Sequence, residues 1–172
     1  QLTTLKGAPQ EVGGDFDCSF NRLTTLEGAP QKVSGYFNCS YNKLTTLKGA
    51  PQRVGRSFNC SSNQLTTLEG APQEIDRDFN CSLNILTTLE GAPQRVGRSF
   101  NCGNNQLTTL KGAPQEIGGD FNCIMNRNLS KEEIIKYLKV AKISGKIYTD
   151  FGSFENQEEA LKKLAATNYF PY

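Results

Sequence analysis

The stretch LTTLKGAPQRVGRSFNCSSNQ, residues 44–64, decides the fold. Near-copies of it begin at Leu2, Leu23, Leu65, Leu86 and Leu107. The unit LTTL-[KE]-GAPQ-x-[VI]-x-x-x-F-[DN]-C-x-x-N-x therefore occurs six times at a spacing of 21 residues. A fixed period in this range is the signature of a solenoid, in which each copy buries its apolar face against the next. Residues Arg53–Cys60 and Arg95–Cys102 are identical letter for letter, which points to duplication of whole units rather than the shaping of one pocket.

Within a unit, Phe16 and Cys18 flank Asp17, an apolar–polar–apolar alternation that predicts a very short strand with two side chains inward. At Asn21 the chain must bend away from that strand and leave backbone N–H and C=O groups without ladder partners. A side-chain amide both donates and accepts, so Asn21, Asn42, Asn63, Asn84, Asn105 and Asn126 are expected to form a structural ladder. Gly7, Ala8 and Pro9 mark a turn, and Val12 re-enters the core. The limb LTTLxGAPQ is too short and too rich in Gly and Pro for a helix, which leaves extended or turn structure. With parallel strands about 4.8 Å apart, six units make a slab roughly 25–30 Å long. Phe16, Phe37, Phe58, Phe79, Phe100 and Phe121 line its inside.

F-x-C-x-x-N-x-L resembles the L-x-L-x-x-N-x-L core of a leucine-rich repeat, with Phe and Cys in two leucine seats. More specifically, the units resemble the LTSLEGAPxxVGGDFxCSxNx repeats of short-repeat leucine-rich proteins of bacteria and large bacteriophages. Val12-Gly13-Gly14 follows that pattern; Val54-Gly55-Arg56 and Ile75-Asp76-Arg77 depart from it. The resemblance covers about three-quarters of the chain. It implies an α/β repeat solenoid with short parallel strands on one face, extended or turn return limbs and a small helical C-terminal cap. It implies no particular activity.

Composition narrows the function further. Among the 172 residues there is no histidine and no tryptophan, which removes the commonest general base and the commonest metal ligand. The net charge of +2, with both signs interspersed, argues against a dedicated nucleic-acid surface. Arg53, Arg56, Arg77, Arg95 and Arg98 cluster in the middle units. Asp76, Asp78, Glu69, Glu74 and Glu90 fall among them, so pairing within the surface is expected. No apolar run approaches the roughly 20 residues that span a bilayer. Gln1 falls inside the recurring pattern rather than before it, so the chain is expected to be a processed or trimmed piece, and a missing signal peptide says nothing about compartment.

Cys18, Cys39, Cys60, Cys81, Cys102 and Cys123 are even in number, but all occupy the same inward seat. Their Cβ atoms should lie about 4.8 Å apart with parallel vectors, against about 3.8 Å in a disulfide. A straight column does not converge as a tetrahedral metal site must. The expectation is buried core, with no metal and no cofactor.

Two outward columns are candidates for recognition. Asp17, Asn38, Asn59, Asn80, Asn101 and Asn122 form a uniform polar strand face, able to hydrogen-bond a glycan or peptide or simply to solvate the sheet. Phe20, Tyr41, Ser62, Leu83, Asn104 and Met125, just before each structural Asn, combine variability with large apolar side chains.

The pattern breaks at Asn128, giving a solenoid over residues 1–128 and a cap over 129–172. Ser130 and Glu133 form a capping box that predicts a helix over 131–142, with Ile134, Ile135, Leu138 and Ala141 on one face. Lys146–Phe151 alternates like a strand. Asn156 and Glu159 open a second helix to about Ala166, its stripe made by Ala160, Leu161, Leu164 and Ala165. The tail has no cysteine to serve as the nucleophile of a ligase domain. The first unit would present an open edge, to be covered by missing repeats, a missing cap or a second molecule.

These features favour a non-catalytic scaffold that binds a protein or glycan on its strand face. The alternative is a structural protein that assembles head to tail, into filaments or as part of a fibre.

Overall fold

The computed structural model describes residues 1–166. Each unit supplies two strands of two residues: β1 (Glu11–Val12) and β2 (Phe16–Asp17), β3 (Lys32–Val33) and β4 (Phe37–Asn38), β5 (Arg53–Val54) and β6 (Phe58–Asn59). The later units supply β7 (Glu74–Ile75) and β8 (Phe79–Asn80), β9 (Arg95–Val96) and β10 (Phe100–Asn101), β11 (Glu116–Ile117) and β12 (Phe121–Asn122). The tail adds α1 (Lys131–Leu138), β13 (Lys142–Ile143), β14 (Ile147–Thr149), β15 (Gly152–Phe154) and α2 (Gln157–Ala166).

Equivalent strands stack in parallel at the register of the repeat, Phe16 on Phe37 and Phe100 on Phe121, so the chain is a β-solenoid. Strands lie on two faces rather than one. The even-numbered strands from β2 to β12, with β14 and β15, form one eight-stranded sheet. The return limb carries a second ladder, in two pieces: β1-β3-β5 and β7-β9-β11-β13. LTTLxGAPQ itself is irregular and turn structure, as expected, and the second ladder begins just past it. Two residues suffice for each strand because the neighbouring unit supplies the bonds and a strand on its own would not persist.

Between the ladders lies the core. The Phe rings stack nearly parallel with centroids 5.2–6.3 Å apart. The six cysteines, all unpaired thiols, are buried beside them with the leucine columns. Each thiol points at the next unit, as in Cys39 Sγ to the Asn59 carbonyl at 3.4 Å. In the first unit of the sequence Phe16 and Val12 are half-buried and Leu2 is exposed.

Two devices hold successive units together. The LxGA turn closes through Ala29 N–H to the Leu26 carbonyl at 2.9 Å, with Gly28 at φ +88°. Glycine is required there twice over. The left-handed φ disfavours a side chain, and a Cβ on Gly28, Gly49, Gly70, Gly91 or Gly112 would approach the backbone of the preceding unit to within 2.5–2.8 Å. The asparagine ladder is the second device. Asn84 Nδ2 donates to the carbonyls of Cys60, Cys81 and Ser82 at 3.1–3.2 Å, while its Oδ1 accepts from Leu65 N–H at 2.9 Å. One side chain therefore satisfies backbone groups of two units.

The tail continues both ladders. β13 pairs with β11 and β14 with β12, but over 26 residues instead of 21, because α1 occupies the return limb. Ser130 caps α1 by accepting from Glu133 N–H at 3.2 Å. The helix ends at Leu138, short of the expected 142, because the chain must leave it at Lys139 to supply β13; Ala141 is buried outside the helix. Tyr137 packs on Phe121 with centroids 5.2 Å apart and donates its hydroxyl to the Pro114 carbonyl at 2.6 Å. The expected strand at 146–151 is instead the first arm of a hairpin: β14 turns at Asp150–Phe151 and β15 returns antiparallel, leaving Phe151 exposed. Asn156 accepts from Glu159 N–H at 2.9 Å to start α2, which buries Ala160 and Leu164 but leaves Ala165 in solvent. Gln157 ties the pieces together, donating to the carbonyls of Leu138 and Ala141 and accepting from Ile143 N–H. Residues 167–172 of the expected cap lie outside the described residues.

Candidate functional site

The strand-face column is more structural than its exposed position suggests. The side-chain oxygen of Asn38, Asn59, Asn80, Asn101 and Asn122 accepts the backbone N–H two residues on, at 3.0–3.1 Å, and Asp17 does the same for Ser19 at 2.8 Å. These Asx turns start the bend away from the sheet. Burial pushes the Asp17 carboxyl up, but hydrogen bonds from Ser19 and Asn38 outweigh it and hold the group below its ordinary value. One acceptor site of each side-chain oxygen in the column is therefore taken by the chain's own backbone before a partner arrives.

The bend ends in the second candidate column, where the backbone is left-handed. Phe20, Tyr41, Ser62, Leu83, Asn104 and Met125 have φ between 52° and 57°, and none is glycine. Each is held from its neighbours. Tyr41 N–H donates to the Ser61 carbonyl at 3.1 Å, and the residue two further on bonds back to the start of its own unit, Lys43 N–H to the Leu23 carbonyl at 2.9 Å. At the last copy the acceptor is Asp150, whose carboxylate takes Met125 N–H at 2.6 Å and Asn126 N–H at 3.1 Å. An L-residue in this region costs about 1–2 kcal/mol, which glycine avoids and asparagine lessens.

Despite that cost the column carries four of the eight exposed large apolar side chains among the described residues, the others being Leu2, Ile85, Val140 and Phe151. Phe20 is 66 % exposed, Tyr41 51 %, Leu83 49 % and Met125 51 %. Phe20 and Tyr41 stack on each other in the open, centroids 4.3 Å apart and planes 7° from parallel. The neighbouring outward column is Arg22, Lys43, Gln64, Ile85, Gln106 and Arg127, all exposed, and beyond it run the exposed threonines from Thr24 to Thr108. Neither column holds a carboxylate. Together they make an apolar ridge edged by positive charge, flanked by Asp17 at one end and Asp150 at the other.

Ile85 and the cationic edge were absent from the expected site. Their signal lay in the column after each structural Asn, which contains no acid. The other expected groups fall elsewhere. Arg95 pairs with Glu116 at 3.2 Å and Glu90 with Lys111 at 2.7 Å, while Asp78 accepts instead from Ser57 Oγ at 3.2 Å and Ser99 N–H at 3.0 Å. Burial pushes the thiols up, to about 12 for Cys18 and Cys123 and well above the ordinary value for the four between them, so they stay protonated and unreactive. Among the described residues no three Cys, Asp or Glu side chains converge as metal ligands, and no helix is long and apolar enough to cross a membrane. Comparison with family models, curated proteins and solved structures gives no match to this chain.

Proposed function

We propose that this chain is a non-catalytic interaction scaffold, a short leucine-rich-repeat solenoid of the bacterial or bacteriophage kind, that holds a protein or glycan partner against the ridge of Phe20, Tyr41, Leu83 and Met125. One observation carries the reading: large apolar side chains stand in solvent at backbone positions that disfavour them. Asn104 shows that the same geometry accepts a residue better suited to it. Stability of the fold would favour Asn or Gly throughout, so retention of Phe, Tyr, Leu and Met calls for a role outside folding. The solenoid supplies the rigidity such a surface needs, because the backbone N–H of each ridge residue is bonded to the next unit or to Asp150.

The test is a protein and glycan array probed with the chain and with a variant carrying Phe20→Ser, Tyr41→Ser, Leu83→Ser and Met125→Ser. Ligands of the unmodified chain should weaken at least tenfold while the melting temperature holds or rises. Undiminished binding by the variant would remove the ridge from the account.

Head-to-tail assembly is the second reading, on the strength of the exposed Leu2 and half-buried Phe16. Against it stands the hairpin, because β15 runs antiparallel to β14 and closes the large sheet with a strand of the wrong sense for an added parallel unit. Mass measured by light scattering against concentration should show no growing species.

A further inference from the structure

The ridge has gaps, and their spacing and charge describe an occupant. Ser62 and Asn104 are small, half-buried residues set between Tyr41 and Leu83 and between Leu83 and Met125. At Asn104 the gap is part of an open depression of about 520 Å³, whose lining includes Leu83, Ile85, Met125, the buried Asn105 and the exposed Arg127. The two gaps are two units apart, which at the strand spacing is about 9.6 Å.

Few chain conformations present side chains on one face at that interval. An extended strand repeats after two residues, at about 6.6–6.8 Å. An α-helix comes closest after seven residues, at about 10.5 Å, and places intervening side chains on the same face at about 6 Å, against the Leu83 knob. Polyproline II repeats after three residues at about 9.3 Å with nothing between on that face. The stacked rings of Phe20 and Tyr41, beside the first gap, are the kind of flat aromatic surface on which proline-rich segments dock. Arg22, Lys43 and Arg127, with no carboxylate in their column, select an acidic partner.

We propose that the ridge binds an acidic, proline-rich segment of a partner protein in the polyproline II conformation. Apolar side chains three residues apart enter the gaps at Ser62 and Asn104, and a carboxylate just beyond the second meets Arg127. The proposal rests on the reading of the ridge as the binding face.

The experiment is fluorescence anisotropy with three labelled synthetic peptides and the full chain. The first has the core Pro-Pro-Leu-Pro-Pro-Leu-Pro-Pro with two glutamates at each end. The second has the same composition with its leucines two residues apart, and the third replaces glutamate by lysine. The first peptide should bind at least tenfold more tightly than either control. Asn104→Leu, which fills the depression with a residue the column already tolerates at Leu83, should weaken it at least tenfold. Arg127→Glu should weaken it three- to tenfold, less at high salt. Equal binding of the second peptide, or indifference to Asn104→Leu, overturns the proposal. If no peptide binds but an array ligand, such as a glycan, depends on the four ridge residues, the polyproline assignment falls and the binding face stands. If array ligands also survive the four-residue ridge variant, both fall. Concentration-dependent dimers lost in that variant would replace the peptide by a second copy of the chain.

Discussion

Raising the pH from 7 to 10 should remove most of the stability of this protein, through its thiols. Six cysteines are buried, and burial holds every one well above its ordinary value, Cys18 and Cys123 to about 12. In the unfolded chain they titrate near 8.5–9. The folded state thus keeps protons that the unfolded state gives up. The contribution is whole below the unfolded value and is lost as pH rises from there towards the folded values near 12. At pH 10 each unfolded thiol gains about 1.4–2 kcal/mol by ionising, and six together about 8–12 kcal/mol. A domain of this kind has about 5–15 kcal/mol in all. Tyr137, pushed up by its burial, adds in the same direction only at higher pH. The assay is urea unfolding at pH 7, 9 and 10 with a phosphine reductant, followed by circular dichroism. A double variant, Cys60→Ala with Cys102→Ala, loses stability at every pH through the cavities it creates, but its drop between pH 7 and 10 should shrink by about a third. Equal stability at pH 7 and 10, or the same drop in the double variant, would refute the reasoning.

Other substitutions separate the two devices that join the units from the ridge they support. Asn84→Ala should cost about 3–5 kcal/mol in urea unfolding, because it orphans the Leu65 N–H and two carbonyls inside the stack; a cost below about 1 kcal/mol would mean that water replaces the amide. Gly91→Ala combines φ +89° with a Cβ 2.5 Å from Glu69 N and should cost about 3 kcal/mol or more, whereas Gly103→Ala, in a column that carries serine in four other units, should lie within about 0.5 kcal/mol of the parent. Leu83→Asn should leave the melting temperature unchanged or raise it, since the left-handed backbone accepts Asn better than Leu; a fall of several degrees would show that Leu83 packs as core.

The sequence made some of this visible and concealed the rest for identifiable reasons. Phe37, Cys39 and Asn42 were legible because an inward seat and a buried amide each tolerate one residue type, so the letters repeat with the fold. The strand at Glu11–Val12 was not, because two residues carry no periodicity and its bonds come from the next unit. The left-handed backbone at Phe20 and Leu83 was hidden by the absence of the glycine that usually announces it. Asn38 and Asn80 looked like open polar surface because an Asx turn is made locally and leaves the side chain outside. In the tail, Ala141 fitted the helical face, but the demand for another pair of ladder strands ended the helix first.

Between the third and fourth units the smaller sheet thins: β5 and β7 do not pair as strands, at the level where Asp76 stands in the column of Gly55 and Gly97, although Arg77 N–H still reaches the Arg56 carbonyl at 3.2 Å. The larger sheet crosses without a break, through Phe58 N–H to the Asp78 carbonyl and Cys60 N–H to the Asn80 carbonyl at 2.9 Å each. A stack fully laddered along one wall and sparsely bonded along the other is a beam with a shallow notch. Fewer backbone bonds have to open at that level for the stack to flex. Ser62 stands in the third unit, beside the notch. Flexure at that level would change the distance between Tyr41 and Leu83, the two walls of the Ser62 gap.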